Sequence, residues 1–325
     1  MKKLFLTLFF AVLATAGMYA QQISVVSSGG TTTLYQTLQD AVDGADPGSV
    51  IYLPGGGFGK NDTVTVTKKL TIIGIGHYAK KGNVDGATII SGSLSFKEGS
   101  SGSAVMGCYI TGDVGIYANV NDVLIRYCNV QNVRVYDPSC LETTVNQCYL
   151  RNGAHFHGAN GYFTNNVSKD VWNLCNGYIE NNLFTTNKRV FGEDRFETKW
   201  SNSSIIRGNI IITTTTYGYN EGPDAIVSGN MCPSTDWNID TDLITVNADW
   251  NDVFENYNGG AVSPASNFHF KEAYAQYENQ VGIYSGTGFK DEQLAPVPYI
   301  VAKRVDTETD ASGKLNVKIR VKAGQ

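Results

Sequence analysis

Val105-Met-Gly-Cys108-Tyr-Ile110, Ile125-Arg-Tyr-Cys128-Asn-Val130 and Val145-Asn-Gln-Cys148-Tyr-Leu150 are three copies of one pattern. An apolar residue is followed three positions later by Cys, and two positions after that by another apolar residue. The pattern continues with Asn in place of Cys at Phe163–Asn166, Ile179-Glu-Asn-Asn182-Leu-Phe184, Ile206-Arg-Gly-Asn209-Ile-Ile211 and Val227-Ser-Gly-Asn230-Met-Cys232. The marked Cys and Asn positions are 20, 20, 18, 16, 27 and 21 residues apart. Self-similarity at that period, with little helical periodicity, is the mark of a β-solenoid in which each period is one coil. Equivalent residues then stack about 4.8 Å apart on neighbouring coils. Stacked Asn side chains can pass amide hydrogen bonds along the column, and Cys fits the same position as a small buried apolar group. The fold class is therefore all-β, a single-stranded parallel β-helix.

The N-terminus bears on the compartment. Lys2 and Lys3 precede the apolar run Leu4–Leu13, and small residues follow as far as Ala20. Residues 1–20 read as a secretory signal peptide, too short to span a bilayer. Export to the periplasm, cell surface or medium of a Gram-negative bacterium is expected. The formal net charge of −5 becomes −7 once the two signal lysines are removed, which argues against a nucleic-acid partner. No later segment reads as a membrane span. Six cysteines in an exported chain invite disulfides. In-register stacking, however, holds the Cβ atoms of Cys108, Cys128 and Cys148 farther apart than a disulfide prefers, and predicts buried free thiols.

Residues 21–48 hold a strand and an amphipathic helix whose apolar positions are Leu34, Leu38, Ala41 and Val42. The helix would cap the open, aggregation-prone end of the solenoid. Residues 49–286 are assigned to the coils. Residues 287–325 form a linker around Pro296-Val-Pro298 and a β-hairpin from Tyr299–Val305 and Leu315–Val321. A lone hairpin is unstable in water, so this one is expected to close the far end of the solenoid.

The order of helix, Asp46-Pro-Gly-Ser turn, Val50-Ile-Tyr-Leu-Pro-Gly55 strand and Leu70-Thr-Ile-Ile-Gly74 strand resembles the N-terminal cap and first coils of the pectate-lyase-like right-handed parallel β-helix superfamily. Ser266-Asn-Phe-His-Phe-Lys-Glu-Ala-Tyr274 and Val281-Gly-Ile-Tyr-Ser-Gly286 resemble that superfamily's last coil. The resemblance implies a right-handed helix and, since the fold hosts lyases, hydrolases, adhesins and phage spikes alike, little about activity. The superfamily's polygalacturonase elements do not occur in the chain. Gly153-Ala-His-Phe-His-Gly158 does not match the Gly-His-Gly element. Asp113, Asp122 and Asp137 do not fall at matching repeat positions, as calcium-binding lyase carboxylates would.

One surface stands out when the coils are laid in register. With Ile116, Val135, Phe156, Val171 and Val190 turned inward, alternation places two columns outside. The first is Gly115, Arg134, His155, Asp170 and Arg189; the second is Tyr117, Tyr136, His157, Trp172 and Phe191. Aromatic faces stack on sugar rings and an Arg fork binds carboxylates, so a mostly basic column beside an aromatic one is a candidate strip for an acidic polysaccharide. Arg134, His155 and His157 are also the candidates for proton transfer, should the protein be a polysaccharide lyase. A third reading is a structural or adhesive envelope protein. No resident cofactor is indicated. The nearest approach to a metal site is Asp236, Asp240 and Asp242, whose oxygens could take Ca²⁺, although the spacing lacks the EF-hand Gly and distal Glu. Lys188–Glu197, in the longest interval between ladder residues, reads as a loop able to project over the sheet.

Overall fold

The computed structural model describes residues 22–78, 86–185, 190–191, 203–212, 224–233, 237, 240–257, 263–286, 288–289, 299–305, 309, 312–314 and 317–322. The proposed signal peptide, Arg189, Asp236 and most of the Lys188–Glu197 loop lie outside these residues. Among those described, no helix is long and apolar enough to cross a membrane.

Two large sheets of stacked, mostly parallel strands carry the chain, as a β-helix would. The first has 11 strands and runs from the N-terminal edge to Ile226–Ser228. The second has 12, counting the short strands Val114–Ile116 and Asp170–Trp172 that continue it sideways. In the first sheet the repeated apolar position stacks in one unbroken column. Ile51, Ile72, Val105, Ile125, Val145, Phe163, Ile179, Ile206 and Val227 are partners in succession. All nine are buried. One apolar residue every coil is enough to fix this register, because a slip of one would turn the whole column to solvent.

The Cys and Asn positions line the turn between the two sheets. The backbone N–H of Cys148 donates to Asn166 Oδ1 at 2.9 Å. From there each Asn donates through both its backbone N–H and its side-chain Nδ2 to the Oδ1 of the next. The Nδ2 links measure 3.2 Å for Asn166 to Asn182, 2.9 Å for Asn182 to Asn209 and 2.8 Å for Asn209 to Asn230. The same Nδ2 atoms donate to carbonyls of the preceding coil, at Val145, Phe163, Ile179 and Ile206. Asn230 has no further Asn to donate to, and Asp240 takes that place. Its Oδ2 accepts from the backbone N–H (2.9 Å) and Nδ2 (2.7 Å) of Asn230. Its Oδ1 accepts from the backbone N–H of Gly229 (2.7 Å) and Asp242 (3.1 Å). None of the six cysteines is in a disulfide, and Cys108, Cys128 and Cys148 are buried.

The N-terminal cap differs slightly from expectation. The helix spans Leu38–Gly44, with Thr37 as N-cap accepting from the Asp40 backbone N–H, and buries Leu38, Ala41 and Val42. Leu34 lies in the preceding strand, Thr32–Tyr35, and is exposed. That strand and Ile23–Val26 extend the first sheet antiparallel at its edge.

The C-terminal part departs further. The parallel stack ends at Ile244–Thr245. The following segment does not form a last coil through residue 286. It makes a helix, Trp250–Val253, an antiparallel pair, Phe254–Asn256 with Asn267–Phe270, and a 3₁₀ helix, Glu272–Tyr277. These pack over the outer face of the second sheet. A second apolar core results, in which Val253, Phe268, Val281 and Ile283 join Tyr149, Val167, Leu183, Ile210 and Met231. Asn165 Nδ2 ties the segment down by donating to the carbonyls of Ile283 (3.0 Å) and Ser285 (2.8 Å). The hairpin forms, pairing Tyr299–Val305 with Val317–Lys322. In its second strand Val317, Ile319 and Val321 are 52%, 57% and 57% exposed. Within the main core, Phe191 stacks on Trp237 at 5.9 Å near its C-terminal end, so Phe191 is turned inward and leaves the expected aromatic column.

Candidate functional site

The outward strip exists, with three columns in place of two. It lies on Val114–Ile116, on the later halves of Asn129–Val135 and Tyr149–His155, and on Asp170–Trp172. Pairing aligns Gly115 with Arg134, Arg134 with His155, and His155 with Trp172. The expected register therefore fails at one coil. Val171 pairs with Ala154, not Phe156, so Trp172 joins the Arg134–His155 column and Asp170 moves to the other side, beside Gly153. The interval from Asn166 to Asn182 is the shortest in the repeat, and its coil turns early.

The middle column is Gly115, Arg134, His155 and Trp172. On one side stand Tyr117, Tyr136 and His157. On the other lie Asn132, Gly153 and Asp170, partners in the ladder, with Asp113 beside Asn132. Asp113 was not legible as a member of the strip. Its Oδ1 accepts from Asn132 Nδ2 at 2.7 Å and its Oδ2 from Arg134 Nε at 2.9 Å. With Arg134 paired to Asp113 and Asp170 beside it, the described strip is not the mostly basic surface expected.

The rings follow one another across the strands of the sheet. Tyr117 and Tyr136 lie 4.8 Å apart, Tyr136 and His157 6.2 Å, and His155 and Trp172 4.3 Å. Such pairs contribute about 0.5–1.5 kcal/mol each. Gly115 makes room for them, since a Cβ there would sit 3.1 Å from Tyr136 Cε2 and 3.2 Å from Tyr117 Cε2. The ring planes of these pairs are inclined by 35°, 28° and 24°. Lys97 Nζ lies 5.5 Å from the centre of the Tyr117 ring, at the end of the row. Trp172 Nε1 is buried with no hydrogen-bond partner among the described residues.

Electrostatics separate the histidine candidates. Burial, then the charge of Arg134, then His157 lower the His155 pKa to about 4. His155 is thus neutral at physiological pH. Its basicity lies well below the range in which a general base works best. Burial and Tyr117 raise the Tyr136 pKa, which keeps its phenol protonated as a donor. His157 occupies a left-handed conformation (φ 47°) at the turn into Gly158. Among the described residues, no three His, Cys, Asp or Glu side chains come together as a metal site. Of the candidate calcium residues, Asp240 receives four N–H donors at the end of the Asn ladder, and Asp242 supplies one of them from its backbone.

Comparison with known proteins found no family model, no curated protein and no solved structure that matches this chain.

Proposed function

We propose that the protein is an exported, right-handed parallel β-helix of the pectate-lyase-like kind that binds a polysaccharide of the cell envelope along this strip, without catalysing its breakdown. The supporting observation is the alignment of Tyr117, Tyr136 and His157 beside Arg134, His155 and Trp172 on successive strands of one face. Phenol, imidazole and guanidinium groups match the hydroxyl and ring oxygens of a sugar chain laid across the strands. Pairing of Arg134 with Asp113 removes the reason to expect an exclusively acidic glycan. The lyase alternative is weakened by the low basicity of His155.

A screen of neutral and acidic polysaccharides, read for binding and for the ultraviolet absorbance of unsaturated product, tests the reading. Binding without product supports it. Tyr136→Ala is then expected to weaken binding by about 1–2 kcal/mol, between an ordinary contact and a hot spot, beside the stability lost with its two ring contacts. Unsaturated product that disappears in His155→Ala or His157→Ala would establish the lyase. Silence in both channels would leave a structural or adhesive role.

A further inference from the structure

A second site lies away from the strip, at the beginning of the same strands. There the C-terminal segment, crossing the outer face of the second sheet, leaves a cleft of about 400 Å³. This is within the usual size range of small-molecule sites. Tyr109 and Tyr149 come from the sheet, Tyr257 from the covering segment, and Arg151 and Lys169 supply two cations. No acidic side chain is among the described residues that line it.

Arg151 is held in place by neutral acceptors. Nη1 donates to Asn129 Oδ1 at 2.6 Å, and Nη2 donates to the carbonyls of Ile110 (2.9 Å) and Thr111 (2.8 Å). Its guanidinium also lies 4.8 Å from the centre of the Tyr109 ring. Three of five N–H donors are spent, and none meets a carboxylate. Burial lowers the Arg151 pKa against the opposing pull of Tyr109 and of Asp113, whose carboxylate accepts from Asn132 and Arg134 and makes no hydrogen bond to Arg151. Lys169 Nζ donates to Asn152 Oδ1 at 3.2 Å, again a neutral partner. A fixed guanidinium, a flexible ammonium and three tyrosines around one small cavity fit a ligand with an anionic group attached to a ring.

The geometry points to a binding site for a small ring-bearing carboxylate, its carboxylate between Arg151 and Lys169 and its ring against Tyr109, Tyr149 and Tyr257. The source of the ring, sugar acid or aromatic acid, is open to direct test. The site does not depend on the strip or on its ligand.

The experiment is ligand-observed NMR titration of the mature protein. Glucuronate is compared with glucose, 4-hydroxybenzoate with phenol, and inorganic sulfate serves as an anion without a ring. At least one ring acid is expected to bind about tenfold more tightly than its uncharged counterpart and than sulfate, a difference of about 1.4 kcal/mol. Lys169→Met, at a side chain with one exposed hydrogen bond, should remove that preference without changing the melting temperature. Tyr136→Ala, on the strip, should leave it intact. The proposal is overturned if neither acid binds, if sulfate binds as well as the ring acids, or if Tyr136→Ala removes binding while Lys169→Met does not.

Discussion

Asp240 ends the Asn ladder, and its replacement by Asn should be nearly as harmful as its removal. The carboxylate accepts two hydrogen bonds on each oxygen, and the donors Asn230 N and Asn230 Nδ2 are buried. In Asp240→Ala those two donors lose their acceptor, at about 1–3 kcal/mol each, so a loss of about 2–6 kcal/mol is expected. In Asp240→Asn only one oxygen remains. Whichever way the amide turns, its NH₂ faces two N–H groups that also need acceptors, and a loss of about 2–4 kcal/mol follows. An exposed Asp changed to Asn would shift stability by about 0.5 kcal/mol at most. Urea unfolding of the wild type, Asp240→Ala and Asp240→Asn gives the comparison, and amide hydrogen exchange at Gly229 and Asn230 locates the damage. If Asp240→Asn lies within that surface range and exchange at Asn230 is unchanged, an acceptor-only group is not required and the reasoning fails.

Acid should destabilise the fold through its buried histidines. Burial lowers His77 from 6.5 to about 3, and His155 is held at about 4. Between those values and 6.5 the unfolded chain binds protons that the folded chain refuses, so stability falls as the pH drops through that window. His77→Leu should flatten the melting temperature against pH over this range, and an unchanged slope would refute the assignment. For the thiols, native alkylation should reach Cys175, which is partly exposed, and spare the five buried cysteines, while all six react after unfolding without reductant. A disulfide between any two of Cys108, Cys128 and Cys148 would contradict the stacked register.

The sequence announces the coils because the spacing of one apolar residue and one Cys or Asn fixes how each coil sits on the last. The column from Val105 to Val227 follows that spacing residue for residue. Where the coil shortens, between Asn166 and Asn182, the repeat no longer dictates where the next strand begins, and Val171 is misplaced by two residues. Asp240 reads as a possible calcium ligand in the sequence because it stands outside the repeat. It is the residue that ends the repeat, and a terminator cannot show the period. The wrapped C-terminal segment did leave a signal. In Leu183-Phe184, Ile210-Ile211 and Met231-Cys232 adjacent residues are both apolar and both buried, as strands covered on two faces require. Ring orientation had no such signal, since stacking along the axis depends on rotamers and on the room left by Gly115.

The Asn ladder also bears on how such a chain can grow. Every internal Asn accepts from the coil before it and donates to the coil after it in the same way. A tandem duplication of residues 166–181 would place an Asn between two others with its ladder bonds repeated, so length can change in whole repeats at little cost to the ladder. Deletion of the segment bearing Asp240 has no such tolerance, because it would leave a terminal Asn whose backbone N–H has lost its acceptor and whose Nδ2 keeps only backbone carbonyls. Variation in coil number should accordingly accumulate upstream of Asp240, with the terminator carried along unchanged.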